Sequence, residues 1–319
     1  MKRIIVNTAV PVRLSDYLPG VFPMLGGSGK IFRLAKEKKI KLNGARCEGN
    51  TKLAQGDELC LYLPDELLRS PEGGPAFLAA RPQLTVIYED NQLLLVDKPA
   101  GLPVTDETEQ LSDTLLNRAL LYLYGRGEYN PNSGGFVPCL CHRLDTGTSG
   151  LLILAKTSKC ESAVLAAIKK RAISKKYCCV TFGRPKKSEA ILSGYLYKDA
   201  AKGIVHVLDN PRSGAVEIVT AYRQLAVSGR LSLLEVTLVT GRTHQIRVHL
   251  ASIGCPILGD SKYGSNTANR EFKTKYQLLC AMELTFPACN SGPLAAVSGK
   301  CFRTEKPWYF AQVLDGTLK

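Results

Sequence analysis

The strongest constraint on what this chain can fold into is a break in its composition. The stretch PDELLRSPEGGPAFLAARPQ, residues 64–83, carries four prolines and two adjacent glycines. Proline removes a backbone donor and fixes φ, so neither a helix nor a central strand is expected to run through it. The segment reads as a linker, which divides the chain into a small unit at 1–66, the linker at 67–82 and a body at 83–319. A chain of 319 residues is long enough for one large catalytic domain beside a small accessory module. With 45% hydrophobic and 22% charged residues, it is excluded from the disordered class.

Charge narrows the partners. Lys and Arg number 42 against 28 Asp and Glu, a net charge of +14. Such a surplus favours a polyanion, because each neutralised phosphate releases condensed counterions. An anionic membrane surface would also answer to charge alone. The 11 cysteines are odd in number and contain no CxxC pair. They read as reduced, mostly buried thiols. Cys139, Cys141 and His142 lack a second ligand pair at zinc-finger spacing, so no metal is expected. The N-terminal apolar run breaks at Asn7 and Thr8, too early for a secretory signal. No window reaches the roughly 18 apolar residues that a bilayer requires. A cytoplasmic protein with no membrane partner is expected.

The small unit is basic. Residues 1–64 hold 11 Lys and Arg against 5 Asp and Glu, a net charge of +6. SGKIFRLAKEKK (28–39) reads as a short helix that Ser28 can cap. Ile31, Leu34 and Ala35 share one face, and Lys30, Arg33 and Lys36 share another, suited to phosphate contacts. KIKLNGARCEGN and DELCLYL read as short strands joined by Asn-Gly and Gly-Asn turns.

In the body, strand and helix signals alternate without the rhythm of a doubly wound sheet. QLLLVD (92–97), GLLILAK (150–156) and KYCCVTFG (176–183) read as buried strands. Residues 217–241 form a hairpin around Ser228-Gly229. Helices are expected at 111–125, with Ser112 as cap, and at 158–173, where Ser158 and Glu161 make a capping box. A further short helix at 243–254 is closed by Gly254. The fold class is therefore α+β, a mixed, largely antiparallel central sheet with flanking helices, plus a small α/β N-terminal module.

Two segments concentrate chemistry. In CHRLDTGTSGLLILAK (141–156), Arg143 and Asp145 stand just before a glycine-containing turn and a buried strand. A carboxylate so placed suits a cleft. In TLVTGRTHQIRVHLASIGCPILGDSKYG (237–264), Arg242 and Thr243 fall at a helix start, where backbone N–H groups favour an anion. Arg247, three residues after His244, can hold a carboxylate ionised by pairing. His244 and His249 read as capping or packing residues, and His206 as structural. Neither GxGxxG nor GxxxxGK[ST] occurs, so no nucleotide cofactor is expected.

These segments carry a resemblance. HRLDTGTSGLLILAK resembles the signature of RluA-type pseudouridine synthases. DKPAGLPV (97–104), KKYCCVTFG (175–183) and TGRTHQIRVHLASIGCPILGDSKYG (240–264) are similar to that family's other motifs, in the same order. Thr105 stands where many members have His, and the acidic DETEQ (106–110) is a further departure. The resemblance implies a pseudouridine synthase fold with a basic active-site cleft, and isomerisation of uridine in RNA without cofactor or metal. It makes Asp145 the catalytic acid, as nucleophile or base. Arg143 would fill the space left by the flipped nucleotide, Tyr177 would pack on the base and Arg247 would pair with the acid. VRLSDYL (12–18), IKLNG (40–44) and GDELCLYL (56–63), with the basic helix, look like the alpha-L motif named after ribosomal protein S-four, although GGSG (26–29) departs from it. That appendage favours large-subunit ribosomal RNA over transfer RNA as the partner. Lys30, Arg33, Lys36 and Arg242 would make the RNA contacts. A non-catalytic relative would lack these site residues, and a methyltransferase would need a glycine-rich cofactor loop.

Overall fold

Turn residues and short amphipathic runs lay out the N-terminal region as small strands against two helices. The computed structural model describes residues 2–6, 11–22, 25, 28–68, 75–105, 112–199 and 204–318. Its two compact units are Met1–Pro82 with Glu107–Asp113 and Asn117–Val137, and Gln83–Asp106 with Thr114–Leu116 and Pro138–Lys319.

The first unit contains β1 (Lys2–Ile5), β2 (Val12–Arg13), α1 (Leu14–Val21), α2 (Ser28–Lys36), β3 (Ile40–Leu42), β4 (Ala45–Arg46), β5 (Lys52–Leu53) and β6 (Glu58–Leu61). Four strands form a sheet in the order β1-β6-β3-β4, and β2 pairs with β5. Asn43 and Gly44, at φ 49° and 78°, make the tight turn between β3 and β4. Ile31, Leu34 and Ala35 of α2 enter a core with Leu14, Leu18, Ile40, Leu59 and Leu61. Arg33 and Lys36 are exposed and Lys30 is half-buried. The Ser28 side chain and residues 26–27 lie outside the described residues.

The end of the expected linker is packed. A 3-10 turn at Ala76–Ala79 buries Phe77, whose ring lies 5.5 Å from those of both Tyr124 and Tyr129. These aromatics tie 75–80 to 117–137, which clusters with the first unit although the sequence reading placed it in the body.

The second unit is built on one sheet. Its elements are β7 (Thr85–Glu89), β8 (Leu93–Lys98), the start of α3 (Leu115–Gly125), β9 (Cys139–Leu140), β10 (Ser149–Ala155), α4 (Ser158–Lys169), β11 (Ser174–Phe182), β12 (Glu189–Asp199) and β13 (Ile204–Leu208). There follow β14 (Val216–Ser228), β15 (Leu231–Leu238), α5 (Gln245–Ser252), α6 (Asn266–Glu271), β16 (Leu279–Thr285), β17 (Cys301–Arg303) and α7 (Trp308–Leu314). The strand order is β13-β12-β14-β15-β11-β16-β10-β8-β7, with β17 added to β16 and β9 to β10. The β10–β16 pair is parallel and the other described pairs are antiparallel, the mixed sheet expected from the sequence.

Burial explains the strand patterns. β10 is buried from Gly150 to Ala155, so it reads as a continuous apolar run, whereas β12, near the sheet edge, alternates. Each fully buried leucine of β10 contributes about 2 kcal/mol of apolar transfer. Gly150, at φ +110°, closes the parallel pairing: a Cβ there would lie 2.3 Å from the Ala281 carbonyl oxygen.

Two helix starts differ from the sequence reading. Thr157, not Ser158, caps α4, its side chain accepting from the Cys160 N–H. α3 begins at Leu115, and Ser112 offers its carbonyl to the Asn117 side chain instead of capping. Among the described residues no helix is long and apolar enough to cross a membrane.

Candidate active site

Three segments of the second unit meet around one guanidinium. Asp145 lies in the loop between β9 and β10, where its carbonyl accepts from the Thr148 N–H at 3.0 Å. Arg247 lies in the first turn of α5, and Asp260 lies in the turn before α6. Arg247 Nη1 donates to Asp145 Oδ2 at 2.7 Å. Its Nε and Nη2 donate to Asp260 Oδ2 and Oδ1 at 2.7 and 2.8 Å. This two-point grip fixes the guanidinium plane, which a single contact would leave free to rotate.

The two carboxylates sit in different surroundings. Asp260 is fully buried, and its Oδ1 also accepts from the Lys262 and Tyr263 N–H groups. Burial alone would raise its pKa. The Arg247 pairing and the two backbone donors outweigh that and hold it below the usual carboxylate range. Desolvation likewise pulls Arg247 down, but Asp260 and then Asp145 raise it above the ordinary arginine value. The Asp145 side chain keeps 27% of its surface exposed. Oδ2 is held by Arg247. Its other oxygen, Oδ1, faces His244 Nε2 at 3.9 Å, outside hydrogen-bond range.

His244 is held rather than mobile. It occupies the left-handed region at φ 56° immediately before α5, with no side-chain cap bond. Such a residue costs about 1 kcal/mol unless its surroundings enforce it. Gln245 supplies the enforcement. Its side chain accepts from Thr240 Oγ1 and the Arg242 N–H, and donates to the Val219 carbonyl and Thr220 Oγ1. His244 Nδ1 lies 2.9 Å from the Tyr263 hydroxyl, which accepts from the Val205 N–H, and Arg247 lies over the Tyr263 ring at 5.2 Å. Burial lowers the His244 pKa more than the Asp145 charge raises it. His249 packs in the core against Thr220 Oγ1.

Lys98 supports the Asp145 loop from inside the fold. It is fully buried, and its ammonium donates to the carbonyls of Pro99, Leu102 and Thr146 at 3.1, 2.8 and 3.0 Å. Burial brings its pKa down to about 8, against the opposing pull of Asp145 and Asp97. The Gly101 N–H donates to the Thr146 carbonyl at 2.8 Å, so the KPAGLPV turn and the Asp145 loop are joined twice.

Of the residues singled out by sequence, Asp145, Arg247 and Tyr177 come together. Tyr177 is buried on β11, where desolvation and then the Asp145 charge raise its pKa. Arg143 is exposed, two residues from Asp145. Arg242 is exposed in the turn ahead of α5, which begins at Gln245 and so leaves Arg242 outside the helix start. Lys30, Arg33 and Lys36 belong to α2 of the first unit. Thr105 is exposed, and DETEQ lies outside the described residues. His206 is exposed on β13 rather than packed. Sequence reasoning gave no role to Asp260, Tyr263 and Lys98, although all three fall inside quoted motifs. Among the described residues no group of three His, Cys, Asp or Glu could hold a metal ion.

A mixed sheet presents a partly exposed aspartate on a buried arginine, and the comparisons say which family has this arrangement of segments. A family model described as RNA pseudouridylate synthase matches residues 92–252, about half of the chain, and the chain belongs to that family. It is 31% identical to ribosomal large subunit pseudouridine synthase C of Rickettsia typhi, covering 97% of this chain and 98% of that protein. It is 33% identical to ribosomal large subunit pseudouridine synthase D of Zymomonas mobilis, over 68% of this chain and 67% of that protein. In fold it is similar to human RNA pseudouridylate synthase domain containing 4, with a TM-score of 0.56 and 24% identity, covering 73% of this chain and 92% of that one.

Proposed function

We propose that this protein converts uridine to pseudouridine in large-subunit ribosomal RNA in the cytoplasm, with Asp145 as the catalytic carboxylate. The observation that carries the reading is the division of labour on Arg247: buried Asp260 fixes the guanidinium, and the guanidinium holds Asp145 by Oδ2 alone. Oδ1 has no hydrogen bond among the described residues and is the oxygen available to substrate.

The reaction breaks the bond between the ribose carbon and a ring nitrogen, turns the freed uracil and rejoins it through a ring carbon, which gives up its proton while the released ring nitrogen takes one up. No atom is gained from outside, so a positioned carboxylate acting at the sugar, as nucleophile or as base, supplies the required group. The target nucleotide must leave its stack, at a cost of a few kcal/mol. Exposed Arg143 fills the vacated position, and Tyr177 gives the flipped base a flat apolar face. Arg247 holds the carboxylate in one orientation throughout.

The first unit acts as an alpha-L RNA-binding module. Lys30, Arg33 and Lys36 on α2, with Arg242 in the second unit, contact phosphates, which raises residence on structured RNA without reading sequence. The names of the Rickettsia typhi and Zymomonas mobilis relatives support the ribosomal large subunit as target. The test is to map pseudouridines in total RNA from cells with and without the gene. A large-subunit position that loses modification, and regains it with the wild-type gene but not with Asp145→Asn, is expected. Full modification by Asp145→Asn would overturn the assignment, and a lost site in transfer RNA would move the substrate.

A further inference from the structure

Behind Asp260, on the second unit, lies a basic depression that the catalytic reading leaves unused. It has a volume of about 640 Å³ and is lined by Gly259, Ser261, Asn269, Arg270, Lys273 and Lys275, together with Asn266 and Thr274. Its lining carries three cations and no carboxylate. Arg270, Lys273 and Lys275 are all exposed. Among the described residues neither lysine forms an ion pair: Lys275 lies over the ring of its neighbour Tyr276 at 5.3 Å, and Arg270 Nε donates to the Asn266 carbonyl and pairs with no carboxylate. A few exposed cations elsewhere on this unit are matched, as Arg223 is by Glu235 and Arg303 by Glu283. Three unmatched cations around a polar hollow repel one another, and a bound polyanion relieves that repulsion.

The floor of the depression is continuous with the Arg247 site. The buried Asn269 side chain accepts from the Gly259 N–H and donates to the Asp260 carbonyl, at 2.7 and 3.1 Å. Gly259, at φ +85°, presses on the next segment: a Cβ there would lie 2.0 Å from the Tyr276 carbonyl oxygen. Tyr276 in turn packs its ring on Gly101, and Gln277 donates to Thr148 Oγ1. The Lys273–Gln277 segment therefore joins the depression to the Asp145 loop and to the KPAGLPV turn that supports it.

We propose that this depression seats the phosphodiester backbone of the RNA strand that flanks the target uridine. Resting on the reading of the chain as an RNA-modifying enzyme, it names a second contact region on the catalytic unit itself. Arg270 and Lys273 bind successive phosphates, and Ser261 and Asn266 supply neutral hydrogen bonds. The contact adds affinity, not chemistry. It is a docking surface for the strand, built on the same turn that holds Asp260.

The experiment compares the full chain with a triple variant, Arg270→Gln, Lys273→Asn and Lys275→Gln. Asn is chosen at 273 because that residue stands at φ 51°, which Asn tolerates. A charge-matched control carries Lys159→Gln, Lys169→Gln and Lys170→Gln on and just after α4, all exposed. Binding of a fluorescein-labelled large-subunit RNA fragment is measured by anisotropy across salt concentrations, and single-turnover conversion on saturating RNA. The triple variant is expected to bind about tenfold more weakly at 0.1 M salt, with the slope of log K against log salt shallower by about 0.7 for each lost phosphate contact. Saturated conversion should match wild type, and the control should bind nearly as wild type does. Equal weakening in triple variant and control would overturn the proposal, because net charge would then explain it. So would unchanged affinity and slope in the triple variant. A wild-type chain that converts no uridine, yet loses RNA affinity only in the triple variant, would overturn the isomerase reading and support the depression as an RNA site.

Discussion

Two aspartates share one arginine, and the contrast between their surroundings is the most instructive feature of the molecule. Asp260 is fully buried, with two bonds to Arg247 and two backbone N–H donors on the same carboxylate. Asp145 keeps 27% of its side-chain surface and one bond to Arg247. Both oxygens of Asp260 are used in holding structure, whereas one oxygen of Asp145 has no hydrogen bond among the described residues. A carboxylate can therefore be an anchor or a reagent according to how many of its acceptors the fold consumes. The arginine between them transmits the rigidity of the first to the second.

If that contrast is right, the largest effect on activity comes from the residue that contributes least to stability. Asp145→Asn keeps shape and volume and removes only the charge. Turnover should fall at least about a thousandfold, while the melting temperature moves by no more than about 2 °C. Single-turnover assays and thermal denaturation on the same preparation check both halves. A variant that unfolds but retains activity per folded molecule would reverse the roles.

Asp260→Ala should show the opposite balance. It leaves the Arg247 guanidinium buried without its two-point partner, which costs about 3–5 kcal/mol, read as a lower urea midpoint at unchanged slope. Activity then falls indirectly, because Arg247 can rotate. The pH dependence has a definite sign. The folded pKa of Asp260 is depressed, so its stabilisation is full above the unfolded carboxylate value and lost as pH falls through the folded one. The stability gap between wild type and Asp260→Ala should close in acid below about pH 4. A gap that stayed constant there would mean that the pairing is not what stabilises the turn.

Lys98 offers a smaller test of how the Asp145 loop is held. Its pKa falls from 10.5 to about 8 in the folded chain. Between those values the unfolded chain binds more protons, so this group's contribution to stability increases as pH rises through the window. Wild type should therefore gain on Lys98→Met in urea unfolding between pH 8 and about 10. Activity of the variant should drop with the loosening of the Thr146 carbonyl, leaving Asp260 untouched. A pH-independent difference would assign the Lys98 effect to packing alone.

How much of this was legible in the sequence depended on the range of the interaction. The continuous apolar run of β10 and the Ser228-Gly229 hairpin are local signals, and the sheet follows them. Asp145 and Arg247 are 102 residues apart, and only the resemblance joined them; in the fold Arg247 Nη1 donates to Asp145 Oδ2. Asp260 was missed because an aspartate in GDSKYG reads as an ordinary turn former, and its burial against Arg247 has no local signature. His244 was taken for a packing residue, which its ring contact with Tyr263 partly is, but position put it beside Asp145. The α4 cap slipped by one because Thr157 and Ser158 are both good capping residues, and backbone geometry chose the first. Segment 117–137 escaped the body because the partners of Phe77 are distant in sequence.

Tyr263→Phe gives the finest test of the contrast, since the side chain touches the arginine but neither carboxylate, and the Tyr263 N–H bond to Asp260 is kept. The ring stays under Arg247, and only the hydroxyl is lost. That removes the acceptor for the Val205 N–H and the partner of His244 Nδ1. The cost should be about 1–3 kcal/mol, two ordinary hydrogen bonds with partial access to water. Asp260 still fixes Arg247, so turnover should fall by less than about tenfold, or 1.4 kcal/mol of barrier. Urea unfolding and single-turnover conversion measure the two numbers. A loss matching that of Asp145→Asn would show that the hydroxyl takes part in the chemistry, and the line between anchor and reagent would have to be redrawn to pass through Tyr263.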